Sequence, residues 1–323
     1  MAHWLNKRVP ASADGQDADR AKDWLTALSP LFLMMVVNYH WPAVLAVLTA
    51  AAGFAAVTVL WQWLKLTACR VAPALVCGVV VACCLPDSAP LWLSALAGLI
   101  GGILAVIPAL IHRFFKQVEI SCPVYFSPLA GYLAVRYIFP SFFTAFSVPL
   151  MWMSADAVAT ATPLSYLGNP DGAVALSHLF WGFDAGSMGG GPAPALLLGC
   201  IYLFLRRRLN PIPVAAMGGT VLLLSWICWN MPLYSLLSGG VLLSALLLGD
   251  EGFVHVGWKG RLAAGVTAGA VTVLCRLIWG VDGSAVGVLA AGVLTPILHV
   301  SYHGLCRLVV FLREKFAKSE NKG

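Results

Sequence analysis

Residues 156–164 read Asp-Ala-Val-Ala-Thr-Ala-Thr-Pro-Leu, near the middle of a long segment, 141–191, that separates two groups of apolar runs. The segment contains no Lys or Arg, and it ends in a glycine-rich run at 186–191. It carries several aromatic residues and only three carboxylates, which makes it too apolar for a solvated tail. A loop this long inside a compact domain is usually functional or disordered. We therefore interpret 141–191 as a folded segment that bears a binding site.

The rest of the chain has the composition of a membrane protein. Of its 323 residues, 60% are hydrophobic and 11% are charged, and several runs approach the ~20 apolar residues that span a bilayer. The sequence therefore predicts an all-α polytopic membrane protein. The nine cysteines include no Cys-x-x-Cys pair, which argues against a metal or iron–sulfur cluster held by this chain alone.

About ten transmembrane helices are predicted, in a domain that covers residues 25–310. A polar arm at 1–24 precedes this domain, and a basic tail at 311–323 follows it. The predicted spans are 25–40, 42–64, 71–86, 90–111, 124–140, 192–208, 211–229, 231–249, 261–280 and 284–310.

The distribution of basic residues orients these spans. With the N-terminus in the cytoplasm, eighteen of the twenty Lys and Arg residues fall in the arm, the inner loops, the inner end of the last span or the tail. This follows the positive-inside rule, puts both termini in the cytoplasm and places 141–191 on the outer face. The same distribution explains the net charge of +6 without nucleic-acid binding.

Two arginines do not follow this pattern. Arg136 and Arg276 lie near the predicted outer ends of their spans, and a guanidinium at that depth needs a partner. One interpretation is a structural ion pair with Asp156, Asp184 or Asp282. The other is a site for an anionic ligand, because arginine binds phosphate groups in a bidentate manner.

The ten predicted spans divide into two groups of five around 141–191. Since five is odd, a repeat of this kind would have inverted topology, as in many transporters. The third span, with Gly78, and the eighth, with Gly239 and Gly240, are then equivalent. The sequence thus raises the hypothesis of two inverted five-helix repeats.

Two features of 141–191 carry candidate chemistry. The hydroxyl of Thr162 lies on a turn that Pro163 fixes, and it could form an ester or phosphoester. An ordinary turn or capping threonine remains the alternative. Gly189 begins a run of three glycines before a predicted helix, an arrangement that can bind phosphate.

The order of short motifs along the chain resembles the family that includes the D subunit of the Rnf electron-transport complex and the B subunit of the sodium-translocating NADH:quinone reductase. The segment 156–164 resembles the family's Asp-x-x-(Ser/Thr)-x-Ala-Thr-x-Leu motif, and 186–189 resembles the start of Gly-Ser-Ile-Gly-Glu-Thr-Ser. Further resemblances lie at 85–92 (Leu-Pro-Pro-x-x-Pro-x-Trp), 127–131 (Asn-Pro-Ala), 238–250 (the span ending in Ala-Thr-Asp-Pro), 259–262 and 276–280 (Arg-x-x-Gly-Gly).

The resemblance implies a cofactor and partners. In that family, a flavin transferase attaches FMN through its phosphate to the Thr of Ala-Thr-x-Leu, which is Thr162 here, with Thr160 as the second candidate. Asp156, Arg136, Arg276 and Gly189 are the other residues expected to bind the flavin. The implied protein is an electron-transfer subunit of an ion-translocating complex with other membrane and flavoprotein subunits, in a bacterial cytoplasmic (inner) membrane. Whether a second, noncovalent flavin such as riboflavin binds stays open.

The chain also departs from the family motifs. Gly190-Gly191-Pro192 replaces Glu-Thr-Ser, and residues 281–284 replace Tyr-Pro-Glu-Gly. The alternatives are therefore a flavin-free secondary transporter or channel of inverted-repeat type, and a structural membrane subunit that has lost its flavin.

Overall fold

The computed structural model describes residues 13–63, 71–114, 126–143, 146–147, 149, 159–160, 162–168, 173–250 and 257–294. Helices dominate this part of the chain, as the sequence predicted. Three of them are long and apolar enough to cross a membrane, over Trp41–Trp61, Pro211–Trp229 and Trp258–Trp279. Shorter apolar helices accompany them, and many large apolar side chains on their surfaces are exposed. An apolar exterior of this kind is typical of a protein solvated by lipid.

The first half of the described chain contains five α-helices. They are α1 (Ala13–Tyr39), α2 (Trp41–Trp63), α3 (Val71–Cys84), α4 (Leu91–Phe114) and α5 (Phe126–Ile138). The first five predicted spans coincide with these helices. The main difference is at the start of α1, which includes residues that the sequence assigned to the polar arm.

Two charged residues in the polar part of α1 have partners in the rest of the protein. Asp23 is 5% exposed, and it accepts hydrogen bonds from Arg206 Nη2 at 3.1 Å and from Arg208 Nε at 3.0 Å. Arg20 forms an ion pair with Asp250. These contacts connect α1 to the second half of the chain, and the predicted arm is helical from residue 13 onward.

The second half begins with the segment 141–191, of which only parts are described. A 3-10 helix at Pro140–Phe143 leads to strand β1 (Phe146–Ser147), which pairs antiparallel with β2 (Ala159–Thr160). A second 3-10 helix, Pro163–Tyr166, and α6 (Leu176–Trp181) follow. Asp156 lies outside the described residues. The described parts therefore confirm that this segment contains regular structure.

The remaining helices are α7 (Ala193–Leu205), α8 (Pro211–Trp229), α9 (Pro232–Leu237), α10 (Val241–Leu248) and α11 (Trp258–Trp279), and a helix over Ser284–Leu294, here α12, is the last described element. The predicted eighth span is thus two short helices, with Ser238, Gly239 and Gly240 between them. Gly239 has a φ of +68°, which a residue with a side chain rarely adopts. Broken helices of this type place backbone groups inside a membrane domain only where other protein groups bind them.

The helices pack in a similar order in the two halves. In the first half α2 packs closely against α4, and in the second half α8 packs against α11. Small residues allow both approaches: a Cβ added to Gly269 would lie 2.9 Å from the Met217 carbonyl oxygen of α8, and one added to Gly98 would overlap the Ala50 carbonyl of α2. Helix pairs in membranes often use small residues in this way.

Candidate functional site

A cavity of about 340 Å³ lies where the C-terminal ends of α1, α3, α5 and α11 meet the described parts of the segment 141–191. This volume is within the ~300–1,000 Å³ that small-molecule sites usually have. Asp23, in the first half of α1, is ~24 Å from Tyr39 at the cavity, by the rise of an α-helix. The lining residues used below are Tyr39, Tyr132, Arg136, Thr162, Ser165, Asp184, Gly190, Gly191, Gly239 and Asp282.

Thr162 lies on the wall of this cavity, directly before the 3-10 helix Pro163–Tyr166. Its backbone is extended, with φ −66° and ψ 151°, and its side chain makes no capping hydrogen bond. The carbonyl of Thr162 instead accepts hydrogen bonds from the Ser165 N–H at 3.0 Å and the Ser165 hydroxyl at 2.8 Å. The turn is therefore held by Ser165, and the Thr162 hydroxyl stays available for a ligand. Thr162 is the N-cap residue of this 3-10 helix, and its side chain makes no capping hydrogen bond, so of the alternative that the sequence left open the ordinary turn threonine still stands.

Thr160 occupies a different position. It lies in β2, where its Cα is paired with Phe146 of β1. The two threonines are thus in different local structures, one in a strand and one at the start of a turn. Because Thr162 is on the cavity wall, it remains the first candidate for attachment.

The glycine-rich run forms another wall of the cavity, and its members have different positions. The N–H of Gly189 donates to the Cys83 carbonyl at 2.9 Å, and a Cβ on Gly189 would lie 2.5 Å from the Cys83 Cβ. Gly189 is therefore a packing residue against α3. Gly190 and Gly191, in contrast, line the cavity.

The start of α7 offers few donors for a phosphate. Pro192 is the N-cap residue and Pro194 lies in the first turn, and neither has a backbone N–H. The phosphate cradle that the sequence suggested at 189–191 is therefore reduced to the N–H groups of the glycines. Two of these are already engaged, because the Gly189 N–H donates to the Cys83 carbonyl at 2.9 Å and the Gly190 N–H to the Ser187 carbonyl at 3.1 Å.

Arg136 is the one cationic residue among the described residues that line the cavity. Its Nη1 donates to the Tyr132 hydroxyl at 2.6 Å, and its Cζ lies 6.0 Å from the ring centres of both Tyr132 and Phe143. Within the described part of the chain it forms no ion pair with a carboxylate. Its charge is thus fixed in place by aromatic groups and remains available to an anionic ligand.

Arg276 lies behind the cavity wall. It is 4% exposed, and its guanidinium donates to the Ser235 carbonyl at 2.6 Å and to the Ser238 carbonyl at 2.9 Å. These carbonyls lie in the last turn of α9 and in the break before α10, where helical partners are lacking. Arg276 also forms an ion pair of 3.1 Å with Asp282. Of the two interpretations of Arg276, the structural pair with Asp282 is the arrangement found.

Asp282 connects this buried cluster to the cavity. Its carboxylate accepts hydrogen bonds from the Gly240 N–H at 3.0 Å and the Ser284 hydroxyl at 2.8 Å, at the starts of α10 and α12. Burial by itself would raise the pKa of Asp282, but the Arg276 guanidinium and these hydrogen bonds keep that pKa below its usual range. The carboxylate is therefore a fixed negative charge on the wall.

Asp184 is a second carboxylate in the cavity wall, and its surroundings differ. Its Oδ1 is buried and has no hydrogen-bond partner among the described residues. Burial raises the pKa of Asp184 to about 7, and its own backbone N–H is the group that opposes the shift. The sequence suggested Asp184 only as an ion-pair partner for an arginine. The shape of the turn from Gly182, with a φ of +78°, to Gly191 decides its actual position.

The fold and the cavity together define a multi-pass helical membrane protein with a site for a small molecule. The chain belongs to the NQR2, RnfD, RnfE family, whose model matches residues 9–303. This confirms the family that the sequence motifs indicated.

The relatives of this chain are D subunits of ion-translocating oxidoreductase complexes. The D subunit of the Na(+)-translocating ferredoxin:NAD(+) oxidoreductase complex of Acetobacterium woodii is 29% identical over 234 residues, which cover 70% of this chain and 69% of the relative. The D subunit of the proton-translocating ferredoxin:NAD(+) oxidoreductase complex of Clostridium ljungdahlii is 28% identical over 244 residues, which cover 68% of this chain and 70% of the relative. The D subunit of an ion-translocating oxidoreductase complex of Rhodobacter capsulatus is 26% identical over 274 residues, which cover 70% of this chain and 72% of the relative. These relatives belong to redox-driven translocases.

Proposed function

We propose that this protein is the D-type membrane subunit of an ion-translocating oxidoreductase complex and that it carries FMN bound through a phosphoester to Thr162. Membership of the family and the names of its relatives support the first part. The observation that carries the second part is the Thr162 hydroxyl, which makes no capping hydrogen bond and lies on a cavity of small-molecule size.

The groups around the cavity suit a flavin phosphate ester. Thr162 supplies the oxygen for attachment, and Arg136 supplies a fixed positive charge. Tyr39, Tyr132 and Phe143 supply aromatic surface of the kind that flat ring systems contact. Bound here, FMN would supply the ability to accept and donate electrons, and a covalent link would keep it in place without dissociation.

Arg276 has an indirect part in this proposal. Its guanidinium holds the carbonyls of the broken α9–α10 segment and the carboxylate of Asp282 in place. Since Gly239 and Asp282 line the cavity, this cluster fixes the shape and the charge of that wall. Arg276 thus acts as a positioning residue for the site.

The arrangement in the membrane is part of the same proposal. Described helices lie at the position of each predicted span, and three of them are long and apolar enough to cross a membrane. The distribution of the basic residues supports termini in the cytoplasm and a cavity at the outer face. The α2–α4 and α8–α11 pairs are equivalent under two inverted five-helix repeats. Localisation in a bacterial inner membrane follows from the proposed complex, in which other membrane and flavoprotein subunits exchange electrons with this one.

The proposal is tested by asking whether the full-length chain carries covalently bound flavin. The protein is co-expressed with a flavin transferase, separated on a denaturing gel and examined for flavin fluorescence. Thr162→Ala is expected to abolish the signal, because it removes the attachment oxygen. Acid extraction of the native protein measures any second, noncovalent flavin, such as riboflavin, separately.

Two control variants make this test specific. Ser165→Ala removes a hydroxyl of the same cavity that is engaged with the Thr162 carbonyl, and it should keep the signal. Thr160→Ala should also keep most of the flavin fluorescence. Loss of the signal in Thr160→Ala alone would move the attachment site to Thr160, and a wild-type chain without any fluorescence would reject the flavin proposal.

A flavin-free transporter or channel is the second candidate, and one observation favours it. The α9–α10 helix is broken inside the apolar region, and broken helices line substrate sites in many transporters. A wild-type chain that lacks flavin yet takes up ions in proteoliposomes would support this alternative.

A further inference from the structure

Asp184 is a cavity residue that the proposed attachment of FMN does not use. Its Oδ1 is buried without a hydrogen-bond partner in the described part of the chain, although Asp282 on the same cavity accepts four hydrogen bonds. Apart from its own backbone N–H, no donor or cation offsets the burial of this carboxylate among the described residues, so burial favours the form that binds a proton.

Among the described residues, no neighbouring group supplies a positive charge to Asp184. The turn that holds it consists mainly of small residues, and a Cβ on Gly191 would lie 3.4 Å from its Oδ1. Arg136 is directed to Tyr132, and Asp282, not Asp184, is among the carboxylates that act on it electrostatically. The titratable groups around the cavity and this turn are Tyr39 of α1, Cys84 of α3, Asp87, Tyr132 and Arg136 of α5, Tyr166, Tyr234 of α9 and Asp282.

The charge of Asp184 acts on two of these groups. It interacts electrostatically with Tyr39 of α1 and with Tyr234 of α9, and both tyrosines are buried. Charges at this end of the protein are thus coupled through a poorly hydrated region, where electrostatic interactions are stronger than in water.

We propose that Asp184 is the proton-binding residue of the cavity, and that it takes up one proton from water when negative charge is added to the ligand there. The carboxylate and the proton give a neutral carboxylic acid, while the electrons come from the electron donor of the complex and stay on the ligand. When the ligand loses its charge, the proton returns to water. The identity of the ligand rests on the proposed function, but proton binding by Asp184 does not.

The first experiment uses the purified full-length chain made without a flavin transferase. Infrared spectra are recorded as a function of pH, and the C=O band of protonated carboxyl groups is followed. We expect a component with a midpoint near pH 7 in the wild type, because the pKa of Asp184 is raised to about 7. Asp184→Asn should lack this component, whereas Asp19→Asn, which changes an exposed carboxylate of α1, should keep it. A spectrum of Asp184→Asn equal to that of the wild type would overturn the proposal.

The second experiment uses the flavin-loaded chain and measures its midpoint potential between about pH 6 and pH 8. Above about pH 7, where Asp184 is ionised before reduction, the potential of the wild type is expected to fall more steeply with pH than that of Asp184→Asn, by up to one proton per reduction. At about pH 6, where Asp184 already carries its proton, the two slopes should converge. A slope that is unchanged in Asp184→Asn, or one that follows the sodium concentration and not pH, would overturn proton linkage. Absence of covalent flavin would reject only the proposed function, since the infrared titration tests Asp184 without it.

Discussion

Arg276 and Asp282 form a 3.1 Å ion pair that joins two connections between helices, the one between α9 and α10 and the one between α11 and α12. The arginine binds carbonyls that the end of α9 leaves without helical partners, and the aspartate binds N–H groups at the starts of α10 and α12. One buried pair therefore satisfies the backbone of a broken helix that forms a wall of the cavity.

Arg276→Gln should destabilise the protein. It leaves Asp282 without its ion-pair partner and removes the guanidinium donors from two carbonyls, of which that of Ser235 keeps only the Ser238 hydroxyl at 3.3 Å among the described residues. Breaking a buried pair typically costs about 3–5 kcal/mol. Thermal unfolding in detergent measures the loss, and Arg276→Lys should recover only part of it because the fork geometry is lost. A normal unfolding temperature together with a changed flavin potential would instead assign this guanidinium to the ligand.

Gly239→Ala should disturb the same cluster from the other side. Gly239 has a φ of +68°, and a Cβ there would lie 2.9 Å from the Asp282 Cγ. We expect a loss of about 1–3 kcal/mol, since a strained backbone position of this kind costs that much. Gly219→Ala in α8 is the matched control, because nothing lies within 4 Å of its added Cβ. If both variants unfold at the same temperature as the wild type, the conformation of Gly239 is not required.

Arg136→Gln should leave covalent flavin in place and lower its midpoint potential. Arg136 is the cation that the described cavity wall presents, and a fixed positive charge stabilises a ligand that gains electrons. If the reduced flavin loses about 1–2 kcal/mol of stabilisation relative to the oxidised flavin, the midpoint potential shifts by about 20–45 mV for a two-electron couple. Lys259→Gln, at the opposite end of α11, should cause no shift. Equal potentials in wild type and Arg136→Gln would exclude Arg136 from the site.

Asp184→Asn should change stability in a pH-dependent way. Because the pKa of Asp184 is raised to about 7 in the folded protein, the folded state binds this proton more tightly than the unfolded chain does. Wild-type stability should therefore fall as pH rises from the unfolded pKa of about 4 to the folded value, and then level off. Asp184→Asn lacks this loss of stability. It should therefore be more stable than the wild type at about pH 8 and about equally stable at about pH 4. A pH-independent difference between the two proteins in thermal unfolding would contradict this prediction.

The orientation in the membrane can be tested with single cysteines in a background that lacks the nine natural ones. A cysteine at Asn169, which follows Thr162 in the segment 141–191, should react with an impermeant thiol reagent added to intact cells. A cysteine at Lys259, which is exposed at the start of α11, should react only after the membrane is opened. Labelling of the Lys259 position from outside would reverse the orientation and place the cavity on the cytoplasmic side.

The sequence by itself determined the class of this protein and indicated the segment that meets its cavity. Apolar runs close to the length of a membrane span, in a chain with 60% hydrophobic residues, predict membrane helices, and short ordered motifs indicated the family that the comparison confirmed. The Thr162 motif also lies on the cavity wall. These features depend on local composition and spacing, which a sequence shows directly.

Only the tertiary structure decided which charges face the cavity. Arg136 and Arg276 look equivalent in sequence, yet the first lines the cavity and the second is buried in a broken helix. Asp184 differs from Asp282 in the same way, since one lacks a partner for its Oδ1 among the described residues and the other has Arg276. The physical reason is that the cost of a buried charge depends on groups brought near it by other helices, and their spacing along the chain does not show this.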